Sequence, residues 1–194
     1  MPSPLGHSLM GYIIYRATDR PTVTHQWKRV ALYLFAANAP DLDFFPGLLV
    51  AEPGRYHHGP SHSIAFAILF GVCAGAICSR RMRGFVIAFS LYVSHILLDY
   101  LVQDPSPPLG VPLFWPFIHE YFIAPFAFYP PINYPGSLGE PIVPVVFTFH
   151  NLLTLLSEVV FLLPVLIFVS WYKRSTVDST ERLVSRRVHR SAEE

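Results

Sequence analysis

Three clusters hold nearly all the positive charge of this 194-residue chain, and any fold must accommodate their spacing. Lys and Arg occupy positions 16, 20, 28 and 29, then 80, 81 and 83, then 173, 174, 182, 186, 187 and 190, with Arg55 alone outside. Five apolar segments lie among them, at 5–15, 30–39, 64–79, 84–101 and 145–172. If these segments alternate in direction, every clustered charge comes to one side. The positive-inside rule makes that side cytoplasmic. Charged residues make up only 14% of the chain, against about 25% in an ordinary soluble domain. That is too little polar material to cover a water-facing surface.

The fold class expected is therefore all-α, a multipass membrane helical bundle of about five apolar helices. A spanning helix takes roughly 20 residues. The last segment meets that length, 64–79 and 84–101 meet it marginally, and the first two need flanking residues or tilt. Residues 1–172 are expected to form one membrane-embedded domain and 173–194 a charged cytoplasmic tail. Within that domain, 103–144 is too rich in proline for a regular helix. It carries Phe114, Trp115, Phe117, Tyr121, Phe122 and Tyr134, rings suited to the headgroup level. It reads as an interfacial cap, with a lid over the site as its other possible role.

Other features bound the function. The opening residues lack a basic n-region and a small-residue cleavage site, so targeting is expected to rest on the apolar segments. A net charge of +1 makes no case for nucleic acid as a partner. Cys73 and Cys78 are five apart and point to different sides of a helix, so they are read as packing residues without a mutual disulfide. Membrane lipids are the expected surroundings, and the sequence does not set an oligomeric state.

The chemistry lies in polar residues placed where burial is costly. Residues 57–63 read HHGPSHS and 94–100 read SHILLDY, while Asp41 and Asp43 stand in APDLDFFPG and His7 near the start. In the alternating topology His7, Asp41, Asp43, His57, His62, His95 and Asp99 all fall on the non-cytoplasmic side. At 1.5 Å per residue, His95 lies roughly 18 Å and Asp99 about 24 Å along the helix from Arg83. The site would sit near the outer interface. His95 and Asp99, four apart, share a helix face. Gly59-Pro60-Ser61 can turn His57 toward His62, and Ser61 and Ser63 can cap the helix that follows, leaving its positive end to favour an anion such as phosphate.

Seven His and Asp residues exceed what one tetrahedral zinc takes, so two or more ions or an extensive outer set of partners is expected. Without thiolates the set suits zinc, manganese or iron. Asp41 and Asp43 are also the candidate catalytic carboxylates. His58 reads as a solvated loop histidine, His119 and Glu120 as lid residues, and Glu158 and His150 as candidates to line the cavity or bond a neighbouring helix. His25 and His189 belong to the basic segments.

Taken together these segments resemble the YdjM family, described as LexA-binding, inner-membrane-associated proteins assigned by inference as metal-dependent hydrolases. The resemblance covers roughly residues 5–118. It rests on His7-Ser8, on Pro40-Asp41-Leu42-Asp43, and on His57, Gly59, Ser61, His62 and Ser63. It continues through Ser94-His95-Ile96-Leu97 with Asp99, then Gly110-Val111-Pro112-Leu113 and Trp115-Pro116. The chain departs from the family at His58, where arginine is common, at Val102 in place of threonine, and in about eight additional residues around 103–109. The resemblance implies a multipass protein of the inner membrane.

The reading that follows is a membrane-bound metal-dependent hydrolase using metal-activated water, on a phosphate ester or another small-molecule or lipid-like substrate. No Gly-x-Ser-x-Gly elbow supports a serine hydrolase. The alternatives are a non-enzymatic membrane protein that binds or moves metal or relays protons, and a regulatory protein whose basic segments dock a partner.

Overall fold

A computed structural model describes residues 2–19, 25–103, 109–127 and 129–192, with side chains through Thr176 apart from that of Pro53. The described residues form seven α-helices: α1 (Pro4–Thr18), α2 (Gln26–Ala37), α3 (Phe44–Leu49), α4 (Ile64–Ile77), α5 (Arg81–Tyr100), α6 (Ile142–Val146) and α7 (Phe149–Ala192). The all-α class stands. Each apolar segment read from the sequence became a helix, though α2 starts four residues earlier than its apolar run. Two helices are long and apolar enough to cross a membrane, Arg81–Tyr100 and Phe149–Thr176. With 14 residues, α4 reaches only about 21 Å, short of a hydrocarbon core of about 30 Å. Helices α1 and α2 are of similar or smaller length, so among the described residues two helices are candidate spans and the five expected are not confirmed.

Helix α5 is the hub. Its Leu91 packs with Tyr15, Tyr33 and Ala37 of α1 and α2. Its Tyr92 and Ile96 pack with Ala39, Ala67 and Val111, and its Leu98 with Ile13 and Leu162. A helix gripped on all sides is a rigid mount for whatever polar residues it carries. Helix α1 approaches α2 closely because Gly11 has no side chain: a Cβ there would lie 2.8 Å from Ala37 Cβ. Helix α7 leaves Leu152, Leu156, Val160, Phe161, Ile167 and Phe168 exposed. A contiguous apolar surface of that extent marks contact with something other than water.

Ion pairs and polar contacts gather the basic residues at one end. Lys173 Nζ donates to the Arg16 carbonyl at 2.7 Å and also to that of Asp19. Arg83 donates to the Thr18 carbonyl at 2.9 Å, and Arg29 pairs with Asp19.

The connection after α5 is irregular but packed. Val111 and Phe122 form an antiparallel bridge, with N–O distances of 3.0 and 2.9 Å. Val111 is fully buried, and the Leu113 carbonyl accepts from Ile64 N–H at 3.0 Å, tying this cap to the start of α4. Gly110 makes the turn possible. Its φ is +94°, and a Cβ there would collide with the Phe122 carbonyl. Gly110→Ala is expected to cost about 2 kcal/mol or more, from left-handed strain plus the collision, read as a lower thermal midpoint in detergent.

Candidate metal centre

The site is assembled from the ends of four elements. Helix α5 presents His95 and Asp99 on one face, with His95 Nε2 3.0 Å from Asp99 Oδ2. His95 Nδ1 donates to the Ala37 carbonyl at 2.8 Å, one of the C-terminal carbonyls that α2 cannot satisfy internally. A carbonyl oxygen can only accept, so Nδ1 carries the proton of this bond and Nε2 faces inward. From α1, His7 stacks on His95 with ring centroids 3.6 Å apart, and its Nε2 lies 3.7 Å from Asp99 Oδ1.

Asp41 and Asp43 come from a tight 3-10 turn, Ala39–Asp43, that follows α2. Asp41 Oδ1 lies 3.2 Å from His95 Nε2 and 3.6 Å from His62 Nε2. Asp43 faces the other way. Its Oδ1 is 3.0 Å from His57 Nδ1, and its Oδ2 accepts from Ser61 Oγ at 2.7 Å and sits 3.1 Å from His62 Nδ1.

The loop from His57 to His62 folds the imidazoles together, with the His57 and His62 centroids 5.1 Å apart. A hydrogen bond from Tyr92 Oη to the Ser61 carbonyl, 2.9 Å, fastens this loop to α5. Phe44 stacks on His57 at 4.1 Å, and Tyr134 from the cap closes edge-on against Phe44 at 5.5 Å.

All seven residues singled out as ligands thus converge. His7, His62 and His95 are completely buried and Asp99 nearly so. His58 corrects the sequence reading. Far from solvated, it is buried, with Nε2 4.0 Å from Asp99 Oδ1. A positive φ of 57° turns it inward. A left-handed backbone at a non-glycine residue leaves no signature in sequence spacing. Four overlapping triads can each hold a metal ion, with candidate ligand atoms within 4.8 Å of one another: His57–His58–His62, His7–His95–Asp99, Asp41–His62–His95 and Asp41–Asp43–His57.

The electrostatics are those of a site built for a cation. Burial lowers the pKa of His57 to about 4, overriding the pull of Asp43, and keeps the ring neutral. For His62 burial also acts downward, but bonds to Asp41 and Asp43 outweigh it and raise its pKa above the usual value. Burial pushes Asp43 upward, yet bonds from His57 and His62 hold it well below the carboxylate range. Asp41 is likewise held down by His95 and His62 against its burial.

The remaining residues divide between expectation and correction. Ser63 caps α4 by accepting from Phe66 N–H at 3.3 Å, whereas Ser61 serves Asp43. With Ile64 N–H bonded to Leu113 and Ala67 N–H to Ser63, three of the first four N–H groups of α4 are engaged. That helix end offers an anion little. His150 bonds the Pro131 carbonyl at 2.7 Å and is exposed, away from the cluster. Glu158 is buried and accepts from Ser3 N–H at 2.5 Å and from Ser3 Oγ. His119 and Glu120 are exposed. Cys73 and Cys78 are exposed too, not packed in the core.

No curated protein and no solved structure matches the chain. The model of the YdjM inner membrane protein family does match, over residues 1–177, a stretch that takes in every element of the cluster. The chain is a member of the YdjM inner membrane protein family.

Proposed function

We propose that the chain is a membrane-bound, metal-dependent hydrolase of the inner membrane. On this reading the basic end of the bundle is cytoplasmic, and the His/Asp cluster lies toward the other face. One observation carries the metal assignment. Both Asp99 oxygens, Asp41 Oδ1, His57 Nε2 and both His7 ring nitrogens are buried without a hydrogen bond. Asp99 and Asp41 are nonetheless within 4.0 Å of several imidazole nitrogens. His95 Nε2 and His62 Nε2 stand 3.3 Å apart between these carboxylates. Lone pairs converging in a dry interior are stable only around positive charge.

His7, His62, His95 and Asp99 are assigned as ligands, with His57 beside them and zinc as the ion best suited to this donor set, ahead of manganese or iron. The number of triads leaves room for two ions. When bound, a divalent ion polarises the scissile group and brings the pKa of water near 7.

The chain's own residues do the rest. Asp43 grips His57 and His62 from behind, fixing their rings as an outer carboxylate does in histidine metal sites. Asp41, with Oδ1 turned inward, is placed to take a proton from an attacking water. The Phe44 and Tyr134 rings exclude bulk solvent on the cap side. A phosphate ester or lipid-like ester is the substrate class proposed, given a site near the membrane interface.

The test is turnover of an ester panel by purified protein, with and without restored metal. Metal-dependent hydrolysis that Asp41→Asn lowers at least about a hundredfold, the scale of general-base catalysis, is expected. Metal binding with no turnover anywhere would favour a binding protein.

A pH effect follows as well. Metal ligation requires a neutral imidazole, and His62 has its pKa raised while His57 is already neutral at pH 7. Uptake therefore competes with protonation of His62, and affinity falls as pH drops. Calorimetry in buffers of different ionisation enthalpy should report net proton release on binding.

A further inference from the structure

Beyond the metal centre, the bundle carries a second cavity of about 660 Å³ at its basic end. Helices α2 and α4 each pack on α5, leaving a gap that α5 floors. Leu32 and Ala36 form one wall, Cys73 and Ile77 the other, and Ile87 and Leu91 the floor. These surfaces are almost wholly apolar, and the exposure of Leu32, Cys73 and Ile77 shows the groove opening sideways. Its mouth is different. Arg29, Arg80 and Arg83 line it with Asp19, so three guanidinium groups face one carboxylate. Arg29 and Arg83 both approach Asp19, Arg83 at 3.8 Å. The rim therefore carries net positive charge.

We infer that this groove is a binding site for an anionic diacyl phospholipid, with its phosphate at the arginine rim and an acyl chain along the α2–α4 gap. The match is one of charge and polarity together. A free anion would leave the apolar walls uncovered, and a neutral lipid would bring no negative charge to a rim that carries three arginines and one aspartate. The inner end of the groove, at Ala36 and Leu91, lies next to Ala37 and one turn before His95 on α5. A seated chain therefore packs beneath the carbonyl that orients His95. This site stands whether or not the metal centre is catalytic.

Both cysteines report on it, because both line the groove. Full-length protein in neutral detergent would be labelled with a maleimide in the presence of dioleoylphosphatidylglycerol, dioleoylphosphatidylcholine or glycerol phosphate. Native mass spectrometry would count the lipids retained. The expected result is that the glycerol lipid slows labelling and stays bound, while the choline lipid and glycerol phosphate do neither. Arg80→Gln should weaken that binding roughly fivefold, the worth of one basic residue near an anionic surface. Ala74→Trp should abolish it by filling the groove while keeping the charge. Metal content should remain at the wild-type level in both variants. Equal protection by both lipids, protection by glycerol phosphate alone, or lipid-independent protection that grows with protein concentration would each overturn the assignment. The last would point to a second copy of the chain.

Discussion

His62→Ala is expected to lower the affinity for divalent metal by more than about a hundredfold, beyond the 10–100-fold typical of losing an outer partner. It should also abolish any hydrolysis. His62 is the joint of the cluster: its Nε2 lies 3.4 Å from Asp99 Oδ2 and 3.6 Å from Asp41 Oδ1, while Nδ1 is held by Asp43. Its removal breaks the contact between the α5 residues and the Asp41–Asp43 turn. Thermal unfolding separates this from simple misfolding. Zinc at a hundred times its Kd should stabilise the wild-type protein by about 2.7 kcal/mol and leave His62→Ala unmoved. Asp99→Asn keeps the shape and removes the charge, so it should fold at least as well and still fail to bind. A zinc-induced shift of wild-type size in both variants would show that these residues do not hold the ion.

The second large effect is expected far from the cluster. Glu158, in the third turn of α7, accepts the backbone N–H and hydroxyl of Ser3 at the first turn of α1. Ser3 Oγ in turn accepts from Gly6 N–H at 3.1 Å. A carboxylate at a helix N-terminus meets unsatisfied N–H groups and the positive end of the dipole. Gly6 permits the contact, since a Cβ there would fall 2.8 Å from the carboxylate. Glu158→Ala strands two buried donors and should cost roughly 2–6 kcal/mol, at about 1–3 kcal/mol for each unsatisfied group. His7 lies one turn beyond Ser3, so metal affinity should fall as well. Glu158→Gln, which keeps an acceptor, should recover much of both losses. A thermal midpoint unchanged by Glu158→Ala would remove the cap from the account.

Much of the site was legible because helical periodicity is strict. His95 and Asp99 in SHILLDY had to share a face, and charge clustering placed every proposed ligand toward one end. The apolar runs marked α1, α2, α4 and α5 to within a few residues, whereas α7 continues from its apolar run through the charged residues to Ala192. What escaped depended on contacts between distant residues or on irregular backbone. The Ser3–Glu158 bond joins residues 155 apart, and no local pattern announces it. His58 enters the site through a left-handed turn. Helix α3, with Pro46 and Gly47 inside only six residues, reads locally as a turn. Spacing left open whether Asp41 and Asp43 divide between the ion and its outer partners or bridge two ions, and the tight 3-10 turn faces them in different directions. Cys73 and Cys78, assigned to packing, instead border an open groove, because α2 and α4 meet α5 and leave a gap between themselves.

The central claim is that the buried His/Asp cluster binds metal through nitrogen and oxygen alone. Elemental analysis combined with X-ray absorption spectroscopy of zinc-loaded protein tests it directly. The account predicts at least one zinc per chain, with Zn–N and Zn–O distances of about 2.0–2.2 Å and no sulfur neighbour, since both cysteines line the groove at the basic end. Zinc absent after loading, or a Zn–S distance near 2.3 Å, would contradict it.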